Sequence, residues 1–302
     1  MLHAPILSAQ QPQLVTDQTA GEAVIPIANS TQADEPLEVE RVEKGTSSRW
    51  TRNKAVDELP LAQLSGDEQL AAAEVLDEIS LYRRLPTIKL QADSRVYSYF
   101  TENPDVAISI WRAMQISQVK MNRLDQESFT IDTGDGTIGN VRVLHQSDKS
   151  HLILCDGDFQ SPALKRPLKA KALMHLQPQF NVTPDGQSEI VHTLDLFVSF
   201  PSQTVETVAR LISPVSNHVA DRNFEEVSLF IEMMDVAMSK QPGWVEQTAY
   251  RLDCVDPKTP DELLKVTAEV YVESQKRGLR HPVMPEADAE SATRPFLQRI
   301  FR

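Results

Sequence analysis

The sequence predicts an α+β fold in which a ladder of antiparallel strands is followed by helices. Three observations carry this. Between Ser117 and Phe200 the apolar residues alternate rather than recur at helical spacing. The breaks in that stretch, Gly134-Asp135-Gly136, Ser147-Asp148-Lys149-Ser150, Ser161-Pro162 and Thr183-Pro184-Asp185-Gly186, have turn chemistry and are too short for a parallel crossover. After Pro201-Ser202 the period changes, and Val205, Val208, Ala209 and Ile212 begin a helical stripe.

The first 58 residues have no sustained period and read as a polar, disordered leader. Residues 59–86 are assigned to an N-terminal helix. Ser65-Gly66-Asp67-Glu68 is a capping box that opens it, and Leu70, Ala73, Leu76, Ile79 and Leu81 are its apolar stripe, ending near Tyr82. Thr87–Leu90 follows as a short strand. Asp93-Ser94 and Asn103-Pro104-Asp105 start two brief helices, the second with its proline at the first helical position.

The expected strands are Ser117–Leu124, Ser128–Thr133, Thr137–Gln146, His151–Phe159, Lys169–Val182 and Ser188–Phe200. In the last, Ile190, His192, Leu194, Leu196, Val198 and Phe200 share one face, and Thr193, Asp195 and Ser199 mark the opposite one, with Val191 and Phe197 blurring the alternation. Pro178 implies a bulge or a sheet edge, because proline cannot donate to the ladder. The long helix from Ser202 is expected to kink at Pro214 and to run to about Lys240. A helical extension over 241–280 includes a short helix, Trp244–Leu252, and a second opened by the capping box Thr259-Pro260-Asp261-Glu262. Residues 281–302 form a tail.

The net charge of −13 excludes a general nucleic-acid surface, which needs concentrated Lys and Arg. Cys155 and Cys254 are too few for a disulfide framework or a structural zinc site, and Cys155 sits in the apolar run Leu152-Ile153-Leu154-Cys155. No segment approaches the ~18 apolar residues that span a bilayer. The cytoplasm is the expected compartment, or export if the true start lies upstream.

Catalytic and metal signatures are weak. His145, His151, His175 and His192 lie in strands without ligand spacing, so no metal and no cofactor are expected. Asp132-Thr133-Gly134-Asp135-Gly136 has its glycines at the wrong offsets for a calcium loop and reads as a tight hairpin. Neither a nucleophile elbow nor a phosphate loop is present. His192, facing the packed side, is the polar residue singled out: a ligand contact, an acid–base group, or a core histidine bonded to its neighbours.

The order of elements resembles the helix-grip fold of the START/SRPBCC superfamily. The resemblance covers about residues 87–240 and rests on Thr87-Ile88-Lys89-Leu90, Asp93–Thr101, Pro104–Met114, the strand ladder and Ser202–Lys240. It implies a curved antiparallel sheet of about six or seven strands wrapped around a long C-terminal helix, with an apolar tunnel for a lipid-like ligand.

The expected function is therefore non-enzymatic binding of a lipid or other hydrophobic small molecule. The expected walls are Trp111, Met174, Ile190, His192, Leu194, Leu196, Phe224 and Phe230. Two alternatives stay open at this level. One is an interaction module with a filled core, meeting a protein partner through its leader or terminal helices; the other is a cyclase-, dehydratase- or hydrolase-like enzyme using the same cavity.

Overall fold

Strand-forming segments account for the centre of the molecule. In the computed structural model they are Glu40–Glu43 (β1), Leu81–Arg84 (β2), Thr87–Gln91 (β3), Lys120–Arg123 (β4), Ser128–Asp132 (β5), Ile138–Ser147 (β6), Ser150–Phe159 (β7), Leu168–Val182 (β8) and Ser188–Ser199 (β9). The helices are Arg49–Asp57 (α1), Gly66–Leu76 (α2), Ser94–Glu102 (α3), Pro104–Ala113 (α4), Pro214–Lys240 (α5), Pro242–Ala249 (α6) and Thr259–Arg280 (α7). The structure describes residues 39–134, 136–159, 168–183, 188–201 and 214–280.

Among the described residues the nine strands form one antiparallel sheet, ordered β1-β3-β9-β8-β7-β6-β5-β4, with β2 also paired to β9. From β4 to β9 it is the expected meander, each strand beside the next in sequence. The β5–β6 turn uses its glycines for backbone conformation: Gly134 and Gly136 have φ of 80° and 103°, and Asp132 Oδ1 accepts from the Gly134 N–H at 2.8 Å. Gly139 and Gly157 face each other across β6 and β7. A Cβ at Gly157 would meet the Ile138 carbonyl oxygen at 2.2 Å, so the two backbones approach where only glycine fits.

Strand pairing sets the two faces. Opposed residues share a side, so Leu196, Met174, Ile153 and Val143 point one way and Phe197, Leu173 and Leu154 the other. The first face carries α3, α4 and α5: Ile88, Leu90 and Ile190 pack with Tyr97, Phe100, Ile110, Phe224 and Phe230. Helices α6 and α7 lie on that layer through Val245, Ala249, Leu263 and Val270. The long α5 thus lies on the face the alternation of β9 singled out, as in a helix-grip arrangement. The described residues belong to one compact unit, Asp34–Arg302.

Several expectations change. The second face is not solvated: α1 and α2 cover it, packing Ala55, Leu59, Ala72 and Val75 on Leu152, Leu173 and Phe197. Asp195 and Ser199, on the face of β9 opposite His192, are therefore buried. The N-terminal helix stops at Leu76, not near Tyr82, and Leu81–Arg84 becomes β2. The reason lies in β9, whose first half pairs with β3 and whose second half, Asp195–Val198, is left for β2. Leu70 of the expected stripe is exposed; Ala72 and Val75 make the contact.

Two elements also arise within residues assigned to the polar leader. Strand β1 is exposed throughout, a charged edge strand tied by the Lys89–Glu40 ion pair. Helix α1 is capped by Ser48 and buries only Thr51 and Ala55, too narrow a face to register as a period. Leader residues 1–38, the tail and Ser202–Ser213 lie outside the described residues, and with them the chain before the kink expected at Pro214, the first residue of α5.

Candidate functional site

The helix-side face of the sheet is built in transverse rows. Arg83, Leu196, Met174, Ile153 and Val143 stand side by side on β2, β9, β8, β7 and β6, and Leu81, Val198, Ala172, Cys155 and Val141 form the next row. Ile153 and Val143 pack with Ile108 and Trp111 of α4, and the neighbouring Leu194 and Leu176 pack under α5. Between these two packed regions Met174 and Leu196 remain half-buried. Among the described residues neither belongs to a core under α4 or α5.

The walls of this seam come from ordered contacts. The Trp111 and Phe230 rings meet edge to face with centroids 5.4 Å apart, joining α4 to α5. Arg123 of β4 holds the start of α4 through a 2.7 Å ion pair with Asp105 and lies over the Phe129 ring. At the other end Arg83 and Asp221 form an ion pair beside Leu196, with side chains only 12% and 14% exposed. A further pair, Arg41–Glu225, links α5 to β1.

His192 is a fully bonded core residue. Tyr97 Oη lies 2.9 Å from Nδ1, and Ser228 Oγ lies 2.8 Å from Nε2. Because Ser228 Oγ donates to the Phe224 carbonyl at 2.7 Å, it accepts from His192 Nε2–H, and Nδ1 accepts from the tyrosine hydroxyl. The ring also stacks on Phe224 with centroids 4.6 Å apart. Burial lowers the imidazole pKa to about 3, so it is neutral at physiological pH. Both nitrogens are committed within the protein, which leaves His192 as an apolar-flanked wall and not as a proton carrier.

Of the eight expected wall residues, Ile190 and His192 of β9 and Phe224 and Phe230 of α5 are buried where the sheet meets its helices. Leu194 and Trp111 are partly buried against the same core. Met174 and Leu196 line the seam. The expected set therefore divides into a packed group and a partly exposed group. Sequence reading missed Ala172, which continues the seam along β8, and the border that Ile153, Val143 and Cys155 form where they pack under α4. It also missed Tyr97, Ser228, Arg83 and Asp221, whose positions depend on pairings more than a hundred residues apart or on helix packing.

Cys155, His175 and Asp195 are structural or quiet. Cys155 faces the seam, and burial pushes its thiol up to about 12, so it is protonated and poorly nucleophilic. His175, on the second face, lies 2.9 Å from Ser150 Oγ, and burial lowers its pKa. Beside it, Asp195 accepts from Tyr82 Oη at 2.7 Å and from Arg84 Nε and Nη2 at 2.9 and 2.7 Å. Among the described residues no group of three His, Cys, Asp or Glu side chains could hold a metal ion, and no helix is long and apolar enough to cross a membrane.

No family model matches the sequence, and no curated relative matches it. Among solved structures, the crystal structure of Ara h 8.0201 aligns with a TM-score of 0.35 at 8% identity, over 52% of this chain and 99% of that chain. A protein from Rhizobium leguminosarum solved at 1.9 Å aligns with a TM-score of 0.27 at 12% identity, over 50% of this chain and 95% of that one.

Proposed function

We propose that this protein binds an apolar small molecule or lipid-like ligand on the helix-side face of its sheet, without catalysing a reaction on it. The observation that carries this reading is the Met174–Leu196 pair, apolar and half-buried between two packed cores. Ala172 extends the floor, Ile153, Val143 and Cys155 border it where they pack under α4, and the Trp111–Phe230 contact joins the two helices above the sheet. Covering such a surface contributes about 25 cal/mol per Å² of apolar area removed from water. The Arg83–Asp221 pair supplies a polar rim that can orient a guest. The neutral, doubly bonded His192 and the protonated Cys155 argue against acid–base or nucleophilic work here. Membership of the START/SRPBCC superfamily, with residues 87–240 as the ligand-binding unit and 241–280 as a helical extension, is the family-level form of the same proposal.

The competing reading is an interaction module with a filled core, favoured by the complete burial of Ile190, Phe230 and Met234. Fluorescence titration of the delipidated full chain with 1-anilinonaphthalene-8-sulfonate, displaced by oleate, separates the two. Binding should saturate, and Met174→Glu or Leu196→Arg should weaken it by about tenfold or more, while Trp50→Ser on exposed α1 leaves it unchanged. No saturable binding, or equal binding in the seam variants, would support the filled module instead.

A further inference from the structure

A second concavity lies where the C-terminal end of α4, the link from Gln115 to Gln118 and the link from α6 to α7 meet. It has a volume of about 330 Å³ and is lined by Arg112, Gln115, Ser117, Gln118, Arg251 and Asp253, with Ala113 at its base. Six of its seven lining residues are polar, unlike the apolar seam of the sheet. Arg112 is engaged by Asp253, whose carboxylate accepts from Nε at 2.9 Å and from Nη2 at 2.6 Å. Arg251 donates from Nη2 to the Ala113 carbonyl, which offsets the negative end of α4 and leaves its other guanidinium donors for a guest. With Arg112 paired to Asp253, Arg251 is the lining's one remaining formal charge, in a chain whose formal charge is −13.

The backbone adds an independent observation. The two non-glycine residues with positive φ among those described, Gln115 and Cys254, both at 60°, are a lining residue and the neighbour of one. Helix α4 ends in a Schellman motif: Gln115 N–H donates to the Arg112 carbonyl at 2.9 Å and Ile116 N–H to the Trp111 carbonyl at 3.0 Å. Gln115 therefore occupies the left-handed position that favours glycine, so a side chain is carried there at a conformational cost. That side chain lines the cleft. The opposite wall is also fixed: Ser109 Oγ donates to the Asp253 carbonyl at 2.7 Å and accepts from the Asp253 N–H at 2.8 Å. A left-handed backbone, amide and guanidinium side chains on one lining and a clamped wall are the parts of a polar site.

We infer that this cleft binds a small molecule through a carboxylate or phosphate group, with Arg251 as the charged anchor and Gln115 as a neutral donor beside it. The volume lies at the small end of ligand pockets and suits a compact metabolite. Arg112 and Asp253 hold the wall and are positioning residues.

Isothermal titration of the full chain at fixed ionic strength, with inorganic phosphate in one arm and succinate in the other, tests this. Saturable one-to-one binding in either arm supports the site, and the tighter arm identifies the oxyanion class. Arg251→Gln should weaken that arm by about tenfold or more, as expected for losing a charge-assisted hydrogen bond. Gln115→Gly should weaken binding while raising the thermal midpoint, because it relieves the left-handed strain and removes the donor together. No saturable binding in either arm, or affinity unchanged in both variants, overturns the inference. So does a Gln115→Gly protein with a lower midpoint and unaltered affinity.

Discussion

Tyr97 and His192, 95 positions apart, are joined by a 2.9 Å hydrogen bond that fixes α3 to the centre of the sheet. The bond requires an unprotonated Nδ1, and the buried ring has a pKa of about 3 against an ordinary value of 6.5. The sign follows from proton uptake. Between pH 6.5 and 3 the unfolded chain binds this proton and the folded chain does not, so the fold loses stability as pH falls through that window. Urea unfolding at pH 7, 5.5 and 4 should show wild type losing more stability than His192→Gln over the same interval. Equal slopes for the two proteins would mean that the imidazole is not the group held neutral.

Asp195 forms the corresponding anchor on the other face. It is fully buried, and its carboxylate is shared by Tyr82 and Arg84. Removing it leaves a guanidinium whose side chain is 18% exposed without its main counter-charge. Breaking a buried pair from one side costs about 3–5 kcal/mol. Asp195→Ala should fall in that range by chemical denaturation. Adding Arg84→Met should recover part of the loss, since it removes the stranded charge; full additivity of the two substitutions would show that they do not interact.

The Gly139–Gly157 pair predicts a steric effect without any change of polarity. A Cβ at Gly157 would sit 2.2 Å from the Ile138 carbonyl oxygen and 2.5 Å from the Gly139 Cα, both backbone atoms that cannot rotate away. Gly157→Ala should destabilise the fold by at least the ~1–3 kcal/mol typical of overpacking. Gly66→Ala serves as the control, because a Cβ there meets nothing within 4 Å and adds helix propensity to the first turn of α2. A thermal midpoint for Gly157→Ala at or above wild type would contradict the close approach.

What was legible in the sequence follows from how local each cause is. The strands from Lys120 to Ser199 came within a few residues of their observed ends, because alternation and turn chemistry are local. Pro178 marked a sheet edge for a local reason too: β7 pairs with β8 only as far as Leu176, so the end of β8 overhangs on that side. The burial of Asp195 was not legible, because alternation assigns it a face and only the packing of α1 and α2 covers that face. Strand β2 was hidden for a related reason, since its strand character comes from the free half of β9. In the candidate site, Leu196 was named from the parity of β9, and parity does not distinguish a seam from a packed core. The partial exposure of Met174 and Leu196 depends on how the helices pack across the sheet. The cleft beside Gln115 was invisible because it joins residues near 115 to residues near 252, and a left-handed glutamine has no sequence signature.

Glu232 provides a prediction with the opposite pH sense. Burial raises its carboxyl pKa to about 7, with Asp235 adding to the rise and the Gln91 backbone N–H opposing it. One carboxyl oxygen is buried without a hydrogen-bond partner among the described residues. Nearby, Asp235 Oδ1 accepts from the Asp93 N–H at 2.8 Å, and Asp93 is ion-paired with Arg95 and Arg277. Two carboxylates one turn apart on α5 thus grip the turn between β3 and α3. As pH rises from 4.5 to 7, the unfolded chain releases the Glu232 proton before the folded chain does, so this group lowers stability across that interval. Glu232→Gln removes the ionisation while keeping an acceptor for Gln91. It should be more stable than wild type at pH 8 by on the order of 1–2 kcal/mol, and the difference should close near pH 4. A variant equally stable at both pH values would show that the wild-type carboxyl ionises in the fold as readily as in the unfolded chain, and that α5 meets no electrostatic penalty where it closes over β3.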